Sequence, residues 1–149
     1  TTLAFPAVVA NSVSAFTTTN TTDWQDVASR IYAIPMQTCV LLFFVELHVQ
    51  HSVANATFGF RANMHFPSDG SSGSSGIMFT VDNLILPSTA ARWQLLAVTL
   101  PFMFNLNAAS VQTGSHLVAY QLRNYTAGTL TAVQSGMSDT ATMLMVPTT

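Results

Sequence analysis

Apolar and polar residues alternate along much of the chain, and this alternation predicts β-strands. The clearest stretch is 57–66, in which every second residue is apolar: Phe58, Phe60, Ala62, Met64 and Phe66. Because side chains of a strand point alternately to its two faces, a two-residue period indicates one buried and one solvent-facing side. The second half of 40–51 has the same period, with Val45, Leu47 and Val49 on the buried side.

Further strand-like segments follow to the end of the chain, separated by Gly, Ser, Asn and Pro. They are 77–86, 92–104, 115–124, 129–134 and 140–146. Within 92–104, Pro101 predicts a sheet edge or a bulge, since proline cannot donate to a strand ladder. Residues 17–22 predict a strand leaving a loop. Residues 24–34 have apolar positions at helical spacing, but β-branched residues and Pro35 oppose a helix and favour a strand with a bulge.

The longest apolar run is 39–45, and Glu46 ends it. It is far shorter than the roughly 20 residues that a membrane-spanning helix needs, so we expect no membrane insertion. The run predicts instead the fully buried start of the strand 40–51. With eight to ten strands and no clear helix, the sequence predicts an all-β fold, an antiparallel β-sandwich.

The predicted domain organisation has two parts. Residues 1–11 are expected to form an N-terminal arm and residues 12–149 a single jelly-roll domain. The Ser- and Gly-rich stretch 68–76 resembles a linker, but each flanking half is too small to be comfortable alone. It is therefore interpreted as a flexible loop inside one sandwich.

The composition changes the picture of the surface. Hydrophobic residues make up 49% of the chain and charged residues only 7%, against about 25% charged in ordinary domains. The four basic residues are arginines scattered along the sequence, which argues against nucleic-acid binding because phosphate neutralisation needs clustered positive charge. A surface so poor in charge predicts that part of it is covered in an assembly.

No catalytic or metal-binding constellation stands out in the sequence. Cys39 lies in an apolar run and is predicted to be a buried structural thiol. His48 and His51 are three apart, which places them on opposite faces of a strand, and they are expected to be solvent-facing or hydrogen-bonded. The carboxylates form no recognisable pair. We therefore expect no enzymatic activity, no metal and no cofactor.

The aromatic side chains leave two interpretations open. A sugar-binding platform and a buried core or subunit interface are both compatible with this set: Phe58, Phe60, Phe102, Phe104 and Tyr120. Burial in the core or at an interface is the favoured interpretation, because large aromatic rings dominate the energetics of both.

The order of several segments resembles a known group of proteins over residues 12–147. A Thr-rich stretch leads to Trp24, Asp26 and Val27, and the apolar strand 40–44 and the segment 56–61 follow. Near the end comes the strand 114–123, which begins Gly114-Ser115-His116 and ends Gln121-Leu122-Arg123, before an apolar closing strand at 143–146. This series is similar to the compact jelly-roll heads of phage structural proteins, which themselves resemble the trimeric heads of the tumour necrosis factor and complement families.

The resemblance implies a non-enzymatic homotrimer displayed on the outer capsid surface of a virion and made in the host cytoplasm. It implies a capsid decoration, or cement, protein that clamps neighbouring subunits of the major capsid protein. The alternative is a receptor- or glycan-binding head of a tail fibre or spike. Candidate trimer-interface residues are Phe102, Phe104, Tyr120 and Leu122. Candidate capsid contacts in the arm are Thr2, Leu3, Phe5 and Pro6.

Overall fold

The computed structural model describes residues 7–13, 15–34, 39–66, 74–104, 114–133 and 139–147. These residues form ten β-strand segments and, within the described ranges, no helix. In chain order the segments are β1 (Ala7–Ser12), β2 (Phe16–Thr18), β3 (Gln25–Ile34), β4 (Cys39–His51), β5 (Thr57–Phe66), β6 (Ser74–Ile85), β7 (Gln94–Phe104), β8 (Gly114–Asn124), β9 (Leu130–Ala132) and β10 (Thr140–Pro147). The predicted all-β fold is confirmed.

The strands form two antiparallel sheets. In the first sheet, Val49 of β4 pairs with β7 on one side and β9 on the other, while the start of β4 pairs with β7 and β10. The segments β9 and β10 therefore lie end to end along the same side of β4, and β2 and β1 continue beside them in the same way. The second sheet has the order β3–β8–β5–β6.

Counting β1 with β2 and β9 with β10 gives eight strand positions along the chain. The first sheet then has the order first–eighth–third–sixth, and the second has second–seventh–fourth–fifth. Successive positions thus alternate between the sheets, except that the fourth and fifth form a hairpin. This is the two-sheet jelly roll predicted from the sequence.

The core lies between the two sheets. The first sheet contributes alternate residues of β4, and the second contributes Phe60, Tyr120 and Leu122, all buried. Tyr120 joins the two layers, because its ring stacks on Phe60 at 6.3 Å and meets Phe43 edge-on at 6.4 Å. The predicted inward positions of β5 are confirmed for Phe58, Phe60 and Ala62, while the side chains of Met64 and Phe66 lie outside the description.

Two predicted boundaries are corrected. The N-terminal arm was predicted to include residues 1–11, but β1 begins at Ala7 and pairs with β10 from Ala7↔Met145 to Ser12↔Thr140. The flexible loop was predicted to run to residue 76, but β6 begins at Ser74 and pairs with β5. In both places strand pairing extends the sheet into sequence that local composition assigned to irregular structure.

Two local features of the strands also bear on the predictions. The bulge expected in 24–34 is present as a register shift between Asp26 and Ala28. The prediction that β4 begins fully buried is wrong, because its apolar run alternates. Leu41 and Phe43 are buried, whereas Phe44 is 38% exposed. Nothing in the described chain covers the outer face of this sheet, so the outward half of the run meets solvent.

Candidate functional site

The outer face of the first sheet carries an apolar area, with Thr99 and Thr142 among the polar residues beside it. Cross-strand neighbours share a face of a sheet. The residues of β7 and β10 that lie opposite the outward residues of β4 therefore also point outward. We call the following set the apolar face: Leu42, Phe44, Leu95, Ala97, Pro101 and Leu144. Phe44 is 38% exposed and Leu95 48% exposed. Among the described outward residues of β4, β7 and β10, Glu46 is the only charged one.

The outer face of the second sheet has a different character. We call the aromatic–arginine patch a set of partly or fully exposed side chains at one end of this face: Trp24, Asp26, Arg61, Asp82, Gln121, Arg123 and Tyr125. They come from all four strands or the residues next to them. Strand register explains their meeting, because Arg61 is opposite Gln121, and Gln121 is opposite Asp26.

Gly59 forms the floor of the aromatic–arginine patch. It is buried and opposite Arg123 in the β5–β8 ladder. A Cβ atom at this position would lie 2.8 Å from Asp82 Oδ1 and 2.8 Å from Trp24 Cη2. The lack of a side chain at Gly59 therefore lets the indole and the carboxylate close over the strand.

Both arginines of the patch lie over aromatic rings. The guanidinium carbon of Arg61 is 4.5 Å from the ring centroid of Trp24, and that of Arg123 is 4.9 Å from the ring centroid of Tyr125. These are cation–π distances, at which the ring quadrupole attracts the positive charge. Each guanidinium is thus positioned over one ring on the outer side of the sheet.

Hydrogen bonds connect one row of the patch across three strands. Arg61 Nε donates to Gln121 Oε1 at 2.7 Å, and Gln121 Nε2 donates to Asp26 Oδ1 at 2.7 Å. The buried Nε of Arg123 has no hydrogen-bond partner. Arg61 therefore belongs to a hydrogen-bonded row that reaches Asp26, whereas Arg123 lies over the ring of Tyr125.

Partial burial and neighbouring groups shift the pKa values of this region. Burial lowers the pKa of the Arg61 guanidinium, and the nearby positive charge of Arg123 acts in the same direction. Burial also raises the pKa of the Tyr125 phenol, and its hydrogen bond to Asp82 raises it further. The patch is therefore compact enough for its groups to influence one another.

The two histidines of β4 serve the fold, as their spacing predicted. His48 Nδ1 lies 2.6 Å from Asp139 Oδ1, and the other carboxylate oxygen accepts the backbone N–H of His48. His51 is buried on the opposite face, where its Nδ1 accepts from Val53 and its Nε2 lies 3.1 Å from Asn124 Oδ1 and from the carbonyl oxygen of Thr126. These bonds attach the 125–129 turn and the start of β10 to β4.

In the described ranges of the chain, no three His, Cys, Asp or Glu side chains are grouped to hold a metal ion. No helix in those ranges has the length and apolar character needed to cross a membrane.

The predicted interface residues separate into two groups. The prediction that Tyr120 and Leu122 lie at a trimer interface is contradicted by their burial. They are 3% and 0% exposed inside the single chain and have no surface to offer a neighbour. The backbones of Phe102 and Phe104 lie in β7, beside β4, and their side chains are outside the description. The predicted capsid contacts Thr2, Leu3, Phe5 and Pro6 also lie outside the described residues.

The aromatic–arginine patch was missed by the sequence prediction. The arginines were judged scattered, yet Arg61 and Arg123 lie on adjacent strands and face the same side. The available signal was polar residues at alternate positions, Gln121 and Arg123 in one strand and Arg61 in the other, near Trp24. Their meeting depends on strand order and register, which alternation alone does not reveal.

Comparisons with known proteins agree with the architecture. No protein-family model and no curated protein sequence matches the chain. Among solved structures, it is similar to T=1 particles derived from infectious bursal virus, with a TM-score of 0.58 and 15% identity over 97% of this chain. It is also similar to the VP2 subviral particle of infectious bursal disease virus, with a TM-score of 0.57, 13% identity and 97% of this chain covered.

A third match is to the T13 viral particle of that virus, with a TM-score of 0.56, 12% identity and 95% of this chain covered. The chain spans about a third of the length of these solved chains, at 32%, 33% and 31%. Similarity at this identity defines the class by fold: a jelly-roll sandwich of the kind found in viral capsid proteins. The predicted likeness to phage decoration proteins and tumour necrosis factor heads stays a prediction.

Proposed function

We propose that this chain is a non-enzymatic structural domain of a virion that assembles with copies of itself. The observation that carries this proposal is the fold likeness over 97% of the chain to T=1 particles derived from infectious bursal virus. The jelly-roll strand order of the two sheets is the structural basis of this likeness. The finer form of the proposal is a trimeric decoration protein that sits on the outer capsid surface and clamps neighbouring subunits of the major capsid protein.

The apolar face supports self-association. Free monomers rarely expose a continuous apolar surface, whereas the centre of a permanent interface excludes charge. A second copy of the chain is the occupant that fits, because another copy can cover an almost uncharged sheet face without leaving unpaired charge buried. Phe44 and Leu95, the large exposed side chains of the face, would contribute most to such a contact.

The alternative function, a trimeric head that binds a receptor or a glycan, is supported by a different surface. The aromatic–arginine patch combines Trp, Tyr and Arg, the residue types that dominate binding energy at interfaces. This alternative requires a ligand in addition to other copies of the chain.

Light scattering coupled to size-exclusion chromatography tests the proposal at micromolar concentration. We expect a mass of three chains, and negative-stain electron microscopy of the same fraction should show uniform compact particles. A mass of one chain would contradict self-association, and a dimer would contradict the trimeric form.

A further inference from the structure

We propose that the aromatic–arginine patch is a binding site for an uncharged saccharide. The proposal rests on this patch and does not depend on self-association through the apolar face. Four of the chain's ten charged residues meet at this end of one sheet face: Asp26, Arg61, Asp82 and Arg123. In a chain with only 7% charged residues, such a concentration of charge on one surface indicates a role for that surface.

Stability of the fold does not account for this concentration of charged residues. The core consists of the inward residues of the two sheets, whereas the patch side chains lie on the opposite, solvent side of the second sheet. Exposed ion pairs and cation–π contacts contribute little to stability, about 1 kcal/mol or less each. Burying Arg123 Nε without a partner is in fact unfavourable.

The chemistry of the patch fits a sugar because it offers three kinds of contact within one small area. The rings of Trp24 and Tyr125 each have a guanidinium over one face, and their remaining exposed surface would contact the C–H face of a pyranose. The guanidinium groups of Arg61 and Arg123 can donate, and the carboxylates of Asp26 and Asp82 can accept further hydrogen bonds. A sugar hydroxyl both donates and accepts, so adjacent hydroxyls are matched by adjacent donor and acceptor side chains.

The charge balance selects an uncharged ligand over an anionic one. The two guanidinium groups are accompanied by the carboxylates of Asp26 and Asp82, and Asp23 lies close enough to interact with Arg123. A carboxylate or phosphate ligand would gain from the arginines but would be repelled by these acids. A neutral saccharide has no such conflict.

The patch is also preorganised. Arg61 is fixed by Trp24 and Gln121, and Arg123 is fixed by Tyr125. Side chains that are already ordered lose little conformational entropy when a ligand binds. A single shallow site of this kind is expected to bind a monosaccharide weakly, with a dissociation constant on the order of 1 mM, and several copies in one assembly would raise the avidity.

Tryptophan fluorescence tests the proposal directly. The chain has two tryptophans, and Trp93→Phe leaves Trp24 as the reporter. The probes are methyl β-galactoside, methyl α-mannoside and methyl β-N-acetylglucosaminide, with glucuronic acid as the anionic comparison. We expect at least one neutral glycoside to shift Trp24 emission saturably and to protect Trp24 from acrylamide quenching. Saturation-transfer difference NMR on the unchanged chain provides the same answer without a substitution.

Arginine variants locate the site. Arg61→Ala and Arg123→Ala should each weaken binding of the active glycoside at least tenfold. Arg92→Ala removes the same charge from an exposed position outside the patch and should leave binding unchanged. Circular dichroism establishes that each variant is folded.

Three results would overturn the proposal. One is no response to any neutral glycoside by either method. Another is tighter binding of glucuronic acid than of every neutral probe. The third is equal loss of binding in Arg92→Ala and Arg61→Ala. The chain mass measured on the same samples reports separately on self-association, so failure of one proposal is distinguishable from failure of the other.

Discussion

The two outer faces of the sandwich differ far more than the two inner faces do. Both sheets contribute inward residues of the same apolar kind to one core. On the outside, the first sheet presents the apolar face, with Glu46 as the charged residue of its described outward positions, whereas the second sheet presents the aromatic–arginine patch. The low overall charge of the chain is therefore unevenly distributed. An uncharged face suits a permanent subunit interface, and an ordered polar face suits reversible binding of a ligand.

The largest expected effect is on the apolar face. Leu95→Asp or Phe44→Asp places a charge where the proposed contact excludes water, and we expect self-association to weaken by about 2 kcal/mol or more, on the order of thirtyfold. Each residue is already 38% or more exposed in the single chain, so the fold should survive. The measurement is chain mass by light scattering across a dilution series.

Thr80→Asp is the matched control for these variants. Thr80 is exposed on β6 of the second sheet, so the same new charge should not change the mass. If Thr80→Asp dissociates the assembly as strongly as Leu95→Asp does, the contact does not lie on the apolar face.

The sequence predicted the sheets better than their outer surfaces. Alternation in 57–66 and in the second half of 40–51 located β5 and β4 because the two-residue period directly reports which side chains are buried. The same reasoning failed at the start of β4, since an unbroken apolar run does not show whether its second face is covered by the same chain. Phe44 is 38% exposed in the single chain, and the local pattern gives no sign that this side of the run is left uncovered.

The aromatic–arginine patch was beyond sequence reasoning for a different reason. Arg61 and Gln121 are 60 positions apart, and their contact exists because β5 and β8 are neighbours in a particular register. Strand order in a jelly roll comes from long-range pairing, which local pattern does not encode. The likeness to jelly-roll heads supplied the fold, but its quoted segments did not identify Trp24 with Arg61 as a pair.

The next largest effect distinguishes the packing of the two faces. Gly59→Val puts side-chain atoms where Trp24 and Asp82 already lie, so we expect the free energy of unfolding to fall by about 1–3 kcal/mol, as for an overpacked site. Ala97→Val adds methyl groups to the open apolar face and should change it by less than about 0.5 kcal/mol. Urea unfolding followed by circular dichroism measures both. Equal effects would mean that the patch is no more tightly packed than the apolar face.

A smaller effect isolates the cation–π contacts. Arg61→Ala removes the guanidinium from Trp24 and the hydrogen bond to Gln121, and we expect a loss of about 1 kcal/mol in unfolding free energy. Arg92→Ala, at an exposed site outside the patch, should be neutral within about 0.5 kcal/mol. A neutral Arg61→Ala would show that the observed stacking does not contribute to stability and that the guanidinium is free to reorient.

The smallest expected effect concerns tyrosine ionisation. Burial raises the pKa of Tyr125 above 10.0, the hydrogen bond to Asp82 raises it further, and Arg123 and Arg61 act in the opposite direction. A raised phenol pKa in the folded state adds stability below about 10, and this contribution is lost as the pH rises from there through the folded-state pKa. Burial raises the pKa of the core residue Tyr120 as well, so Tyr120→Phe should remove the larger part of the alkaline loss of stability and Tyr125→Phe a smaller part.

Asp82→Asn sharpens this last prediction, because it removes the carboxylate that favours the neutral phenol while the two guanidinium groups remain. The pKa of Tyr125 should therefore fall. It is followed by the ultraviolet absorbance of tyrosinate in a Tyr32→Phe, Tyr120→Phe background, which leaves one of the three tyrosines. This pKa should stay above the value in the unfolded chain if burial is the largest cause, as the order of contributions indicates. An unchanged pKa would mean that Asp82 does not hold Tyr125 in solution. In that case the carboxylates of the aromatic–arginine patch are held less firmly than its guanidinium groups. The difference between this patch and the apolar face then depends on the arginines alone.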